Sequence, residues 1–506
     1  MANATAALLD DRVEAWGGDR PAIVTPAGTT TYRELLALVS RAGHALRMLG
    51  VEPGDRVAML LPDGLDWAVA FLGALRIGAV AVPLNPRLAP AEWLGMLRDS
   101  GARALIADPD ALARLGDARR AAPDLEVVLA TGEAPGAASL PALLAGAPET
   151  LAPERVSDEH MAFWLYTSGT TGAPKAAVHA HRGVLACRHY GLDVLGANAR
   201  DRFFATSKLF FAYALGNALL IPLYVGAQTY LHPDRTDPAG VAAVLASFRP
   251  TLFFSVPTFY ARLLQTDLPP GAFRSVRCAV SAGERLPAEL YWAFRDRFDV
   301  EVLDGMGATE TVYMVLSNRP GLSRAGSSGT PVPGTEVRLV DVHGREAPDG
   351  VEGVLHVRTP SASPGYWGHP EQSRAAFAGD WFRTGDVYVR DADGFYQHRG
   401  REDDRFKVAG MWVAPADVEA ALLAHPDVAD AGVVGAEEEG GLVKAFAFVV
   451  PKQRGTPGEP LVEALARLLD ERLAPYQRPR RIFVVDELPR TATGKLQRLA
   501  LRRLVQ

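Results

Sequence analysis

The sequence predicts an α/β fold: a large N-terminal domain of βα-layered sheets with a small β-barrel-like module, then a small α+β C-terminal domain. Three observations predict it. The chain has 506 residues, more than one hydrophobic core usually supports. Its first half alternates short β-branched or aromatic runs with helix-like runs, the pattern of parallel strands covered by helices. From Gly329 to Arg399 short strands and frequent turns take over, as in an antiparallel, barrel-like module.

The elements follow in order. Residues 55–86, "DRVAMLLPDGLDWAVAFLGALRIGAVAVPLNP", read strand, helix, strand. "ARALIAD", "EVVLAT", "TLFFSV" and "SVRCAVSAG" are further short strands, most followed by turn residues and a helical pattern. Gly132 to Pro148, rich in Ala, Gly and Pro, reads as a loop or poorly ordered surface segment. "EVRLVDV" and "GVLHVRT" are short strands, and "DADG" is a turn. After Gly400, "APADVEAALLAHPDV" opens the α+β piece. "EPLVEALARLLDERLAPY" is its last helix-like segment, followed by the strand "RIFVVDEL".

Composition narrows the function classes. Net charge is −6 with no basic block, which argues against nucleic acid as the main partner. The first residues carry acids early and lack an apolar core segment, so no signal peptide is expected. The most apolar stretch, Trp67 to Leu84, is broken by Gly, Arg and Pro and does not read as a membrane span. Cys187 and Cys278 are too few for a disulfide framework or a multi-cysteine metal site. A cytoplasmic enzyme is the expectation. The chain has six lysines, Lys175, Lys208, Lys407, Lys444, Lys452 and Lys495, among 53 basic residues. Where arginine serves as the general cation, a retained lysine is a candidate for a compact point charge. Lys175, Lys208, Lys407 and Lys495 lie in motif-like stretches. His179 and His181 in "VHAH" have no acid or cysteine at ligand spacing, so a metal site is not expected there.

"MAFWLYTSGTTGAPKA" reads as an apolar strand entering a glycine-rich turn. Gly169 and Gly172 let backbone N–H groups converge on an anion. Thr167, Ser168, Thr170 and Thr171 add hydroxyls, and Lys175 adds charge. A polyphosphate offers acceptor oxygens that match these donors. The glycine and lysine spacing is not that of a Walker A loop. The plain alternative is a flexible polar loop.

Six motifs in order then resemble the adenylate-forming superfamily of acyl- and aryl-CoA ligases, peptide-synthetase adenylation domains and luciferases. They are "YTSGTTGAPKA", "SAGERLP" from Ser281, "DGMGATE" from Asp304, "WFRTGD" ending at Asp386, "GREDDRFKVAG" from Gly400 and "PRTATGKLQR" ending at Arg498. The likeness covers nearly the whole chain. "KLFFAYALGNALLIPL", "FFSVPTFYARLL" and "LSN" (Leu316–Asn318) look closest to benzoate-type aryl-CoA ligases.

The resemblance implies a two-step reaction: a carboxylate attacks the α-phosphate of ATP, giving acyl-AMP and pyrophosphate, and the thiol of CoA then displaces AMP. It assigns Lys495 to bridge the carboxylate and the α-phosphate, where an ammonium serves two repelling anions. It assigns Glu310 to Mg²⁺, an oxygen-seeking ion, and Thr309 and Lys175 to phosphate. Asp386 would accept from the ribose hydroxyls, with Arg401 assisting. Gly283, Glu284, Asp304 and Gly305 would border the nucleotide. The acyl pocket would be lined by Ala212, Tyr213, Ser281, Ala282, Gly283, Met306, Gly307 and Tyr313, while Phe210 and Phe211 read as core packing. The benzoate-type pattern usually has histidine at Tyr313, so a hydroxylated or otherwise substituted benzoate is the expected substrate. A heteroaryl or small aliphatic acid stays open. The family usually has glycine where this chain has Ala176, a change expected to be tolerated.

The large domain would span residues 1–402 and a small mobile domain residues 403–506, with Asp403 as hinge. That domain would first deliver Lys495 and then open a pantetheine tunnel near Ala409, Gly410 and Met411. Two alternatives stand beside a CoA ligase: an aryl-acid activator loading a free carrier protein, and a degenerate member that only binds. The chain ends eleven residues after Lys495, so no fused carrier is expected. A homodimer is a further possibility.

Overall fold

Two sheets organise the first part of the chain in this computed structural model, which describes residues 3–167, 174–234, 236–437, 442–453, 458–490 and 496–505. A nine-stranded sheet has six parallel strands in the order Val302–Gly307, Cys278–Ser281, Leu252–Ser255, Arg202–Ala205, Gln228–Tyr230 and Pro21–Thr25. Antiparallel strands flank it: Met314–Ser317 and Thr330–Pro331 on one side, Gly28–Thr31 on the other. A seven-stranded sheet runs Ala138–Ser139, Val127–Ala130, Ala104–Ala107, Arg56–Leu60, Val80–Pro83, Met161–Thr167 and Lys175–Ala180, parallel except for the last pair.

The helices between strands pack as their sequences require. Leu65–Arg76 is buried from Trp67 onward, so it lies inside the core rather than over it. Small residues let its neighbour Tyr32–Met48 approach: a Cβ on Gly73 would stand 2.7 Å from that of Ala42. Thr31 and Glu34 start that neighbour with a reciprocal capping box. Arg76, nearly inaccessible, forms a two-pronged bond to Asp10 at 2.8 Å on each arm. The predicted strand–helix–strand of residues 55–86 is thus present, as are the four further strands read from the first half.

Two expectations need correction. Gly132–Pro148 is not merely a loop: Ala138–Ser139 adds a strand to the seven-stranded sheet and Leu140–Gly146 is a helix. The cause is the Ser139–Leu140–Pro141 start, in which the Ser139 hydroxyl caps the Ala142 N–H and proline occupies the first turn. Nor is "EPLVEALARLLDERLAPY" the last helix, since Arg498–Arg503 forms a short one with Leu501 buried.

The chain divides into two compact units. One holds Met1–Val337 and His356–Arg383; the other holds Arg338–Leu355 and Thr384–Gln506. The stretch read as a barrel-like module supplies one five-stranded sheet, in the order Glu336–Val340, Glu352–Arg358, Trp381–Arg390 and Phe377–Ala378, with Tyr396–Arg401 paired to Trp381–Arg390; the division into units falls within this stretch, since residues 356–383 group with the first. The second unit has its own core, in which Val418 and Leu422 of the helix Pro415–Leu423 meet Val433, Ala447 and Leu465. Its three-stranded sheet runs Val428–Glu437, Val443–Pro451 and Arg481–Val484, and the helix Gly458–Arg472 covers it. Among the described residues no helix is long and apolar enough to cross a membrane.

Candidate active site

The carboxyl ends of the central parallel strands gather most of the predicted residues of the first unit, the usual ligand edge of an open α/β sheet. Ser255, Ser281 and Asp304 are register partners across three strands. The Thr206 and Ser255 hydroxyls meet at 2.7 Å and extend the row. Asp304 is buried and its carboxyl is pushed well up by that burial. Gly305 and Gly307 continue its strand, and a Cβ on Gly307 would lie 2.8 Å from the Tyr313 carbonyl, so the next strand could not approach over a larger residue. Met306 between them is buried. Asn318 of the "LSN" stretch donates to the carbonyls of Asp304 and Ser327, which fixes this edge.

Ala212 and Tyr213 open a helix that widens into a π turn at Gly216–Leu220 before Ile221–Val225. Pro222 has no N–H to return to Ala218, which favours the wider turn. Tyr213 donates to the carbonyls of Ser255 and Val280 at 3.1 and 3.0 Å. Tyr313 is buried, its ring lies against Gly216, and its hydroxyl donates to the Val184 carbonyl at 2.8 Å. Its proton is given to that carbonyl, and the Cys187 thiol is a second partner of the hydroxyl. Phe210 and Phe211 pack edge to face on each other, with Phe210 buried. Ala282 is buried and Gly283 takes φ +88°, a value that glycine adopts without strain. Glu284 accepts from the Thr258 hydroxyl at 2.5 Å.

Thr309 and Glu310 occupy a single tight turn, Thr309–Thr311. It runs into Val312, which has φ +60° and ψ −52°, and the Tyr313 N–H bonds back to the Thr311 carbonyl at 2.6 Å. That three-residue turn is rare for a β-branched residue and stores strain between Glu310 and Tyr313. On the facing hairpin, Thr167 and Lys175 are direct partners at the mouth of the glycine-rich loop. Ser168, Gly169, Thr170, Thr171 and Gly172 lie outside the described residues. The Lys175 ammonium stands 3.8 Å from the centre of the Tyr366 ring, and the Tyr366 hydroxyl donates to Glu310 Oε1 at 2.7 Å. Lys175, Glu310 and Thr309 are thus brought to one place, by a tyrosine that the sequence reading missed. The signal available was "SPGYWGHPE", turn-rich and flanking an aromatic pair.

His179 and His181 are both buried. His179 stacks on Phe163 at 4.7 Å, and burial pushes its pKa down to about 3. His181 accepts from the Ala4 N–H at 3.1 Å, and burial lowers it to about 4. Lys208 is buried, donating to the His232 carbonyl at 2.6 Å, while nearby Asp63 accepts from the Leu209 N–H and is pushed up to about 6 by burial.

In the second unit Asp386 and Arg401 face each other across a strand pair. Arg401 reaches Asp386 at 3.5 Å and His398 at 3.3 Å is a third member that the sequence reading missed. Asp403 lies on the turn Glu402–Asp404. Lys495 lies outside the described residues, but the chain on both sides of it is anchored. Arg490 and Leu496 form an antiparallel bridge, and Arg490 pairs with Asp430 at 2.6 Å. Arg498 binds Asp404 at 3.2 Å and both oxygens of Glu419. Ala409 and Gly410 have φ +49° and +83°, making the two-residue turn between Phe406–Val408 and Met411–Val413. That turn alone accounts for Gly410. Met411 is exposed.

Residues 9–367 match the AMP-binding enzyme family and residues 417–495 the AMP-binding enzyme C-terminal domain. The chain is 42% identical over 506 residues to the benzoate–CoA ligase of Thauera aromatica, covering 99% of this chain and 95% of that protein. It is 41% identical over 494 residues to the 3-hydroxybenzoate–CoA ligase of Aromatoleum sp. (strain CIB), covering 96% and 94%. The crystal structure of a benzoate CoA ligase from Burkholderia xenovorans LB400 superposes with a TM-score of 0.91 at 40% identity, covering 99% of this chain and all of that one. With both family regions present in order and its relatives matched almost end to end, the chain belongs to the AMP-binding enzyme family and, within it, to the adenylate-forming aryl-CoA ligases.

Proposed function

We propose that this enzyme activates an aromatic carboxylic acid with ATP and transfers the aroyl group to CoA. In the first step a carboxylate oxygen bonds to the α-phosphorus and the bond to pyrophosphate breaks. In the second the CoA sulfur bonds to the carbonyl carbon and AMP leaves. The observation that carries the reading is the contact of both Lys175 and Glu310 with Tyr366, beside the glycine-rich loop, in a chain matched end to end by aryl-CoA ligases. Thr167, Thr309 and Lys175, with the loop residues Ser168 to Gly172, hold phosphate oxygens. Gly283, Glu284, Asp304 and Gly305 border the nucleotide, and Asp386 with Arg401 takes the ribose.

Mg²⁺ fits the residues present. Glu310 is buried, Tyr366 is the hydrogen-bond partner of its carboxylate among the described residues, and that bond uses one of its two oxygens. One carboxylate plus phosphate oxygens is a usual magnesium environment, and the ion would neutralise charge on the departing pyrophosphate.

The acid is a benzoate bearing a hydroxyl or amino substituent. Ala212, Tyr213, Ser281, Ala282, Met306, Gly307 and Tyr313 line its pocket. The Tyr313 hydroxyl is engaged by Val184 and Cys187, so its ring bounds the pocket; the likeness to a 3-hydroxybenzoate–CoA ligase supports a substituted ring. Residues 1–402 hold these sites and residues 403–506 carry Lys495, alternating about Asp403 to admit CoA past Ala409, Gly410 and Met411. The test is an ATP–pyrophosphate exchange screen over benzoate, hydroxybenzoates, aminobenzoates, heteroaryl acids and short aliphatic acids, with hits coupled to CoA or to a phosphopantetheinylated carrier protein. Exchange with a hydroxy- or aminobenzoate and turnover with CoA are expected. Exchange confined to aliphatic acids, or turnover with the carrier alone, contradicts the reading.

A further inference from the structure

Tyr366 lies on a strap that crosses the hairpin carrying Lys175. The Gly365 carbonyl accepts from the Val178 N–H at 3.1 Å, and the Trp367 N–H donates to the Ala176 carbonyl at 2.9 Å. Ala177 and Tyr366 are thereby bridged in antiparallel register. The same strap reaches the turn that carries Glu310, where the Ser363 N–H donates to the Glu310 carbonyl at 2.7 Å. Beyond it, the Ser373 hydroxyl accepts from the Tyr366 N–H at 2.9 Å, and Trp367 packs on Trp164 with ring centres 4.5 Å apart. Tyr366 is therefore held on both sides by backbone and by packing, and the residue is 7% exposed.

A side chain fixed in this way can position others. Its hydroxyl gives a proton to one oxygen of Glu310, which sets the rotation of the carboxylate and directs the other oxygen elsewhere. Its ring face lies under the Lys175 ammonium at a distance where cation–π attraction is strong. One tyrosine thus touches both groups, the lysine through its ring and the glutamate through its hydroxyl.

We infer that Tyr366 is a positioning residue for the phosphate and metal end of the site: its hydroxyl aims Glu310 at a divalent cation and its ring supports Lys175 toward phosphate. This rests on the reading of Glu310 as the acid that takes Mg²⁺. The hydroxyl and the ring have separable tasks, so two variants separate them. Tyr366→Phe keeps the ring and its packing but removes the proton given to Glu310. Tyr366→Leu removes both.

The experiment compares full-length wild type, Tyr366→Phe, Tyr366→Leu and Glu310→Gln. ATP binding without acid is measured by calorimetry across a magnesium titration, and exchange kinetics and thermal midpoints are measured alongside. Tyr366→Phe is expected to raise the magnesium concentration for half-maximal ATP binding about 5- to 10-fold. Its KM for the acid and its use of pre-made aroyl-AMP with CoA are expected to stay within 2-fold. Tyr366→Leu should in addition weaken ATP binding at saturating magnesium, because Lys175 loses its support. A purely structural tyrosine would instead lower the thermal midpoint and depress both half-reactions together, and that result overturns the inference. If Glu310→Gln shifts the magnesium titration and Tyr366→Phe does not, the inference fails while the reading of Glu310 stands. If Glu310→Gln itself causes no shift, the reading fails, and the inference with it.

Discussion

His179 and His181 carry the clearest pH consequence among single residues. Burial holds them neutral down to about pH 3 and about pH 4, whereas the unfolded chain protonates them near 6.5. Between pH 6.5 and 4 the unfolded state therefore binds more protons, and stability falls as pH falls, by about 1.4 kcal/mol per unit for each histidine. Asp63 works the other way. It is protonated up to about pH 6 in the fold and to 3.8 unfolded, so it adds stability on acidification between those values. Asp304, which burial also pushes up, opposes the histidines as well, so their share is read as a difference between variants. From pH 6.5 to pH 5 the thermal midpoint of His179→Leu should fall less, or rise more, than that of wild type, whatever the variant does to the midpoint at pH 7.5; identical pH slopes would refute the assignment. Sequence reading saw the pair and set the metal idea aside, yet it had no means to see their burial. Tyr313 gives the same lesson. Its position in "GATETVY" was legible, but the proton given to Val184 depends on a carbonyl 129 residues away.

Elements were legible where local pattern and tertiary need agreed. The strand–helix–strand of residues 55–86 announces itself through β-branched runs on either side of a continuous apolar helix. The strap around Tyr366 did not, because its extended backbone earns its place only by bonding to Ala176 and Val178. The strained turn at Val312 is equally silent in sequence, since valine disfavours that conformation and only surrounding packing imposes it. The segment after Lys495 is an element-scale device of the second unit. Arg498 bonds Asp404, Glu419 and the Val433 carbonyl, so it ties the end of that segment to the turn holding Asp403 and to the helix Pro415–Leu423. Arg498→Ala leaves Glu419 without its cation and should cost about 2 kcal/mol. Hydrogen exchange across residues 489–503 should quicken, and pyrophosphate exchange should fall at least 10-fold through Lys495. Unchanged protection would mean that Arg498 does not hold the segment.

For the whole molecule, the two-core expectation and the order of the motifs followed from length and spacing, while the path of the chain between units did not. Residues 338–355 and 384–402 pack with the second unit, a grouping that no local pattern announces. The proposed alternation about Asp403 needs backbone freedom at that residue. Asp403→Pro should slow aroyl transfer to CoA more than aroyl-AMP formation, measured by separate single-turnover assays; equal slowing would argue against a hinge there.

The central claim is that Lys495 supplies the cation that lets a carboxylate reach the α-phosphorus. Its most direct test is Lys495→Ala assayed separately in the two half-reactions. The account predicts loss of about 100- to 1,000-fold in aroyl-AMP formation, with consumption of pre-made aroyl-AMP by CoA nearly intact. Equal loss in both half-reactions, or none in the first, would contradict it.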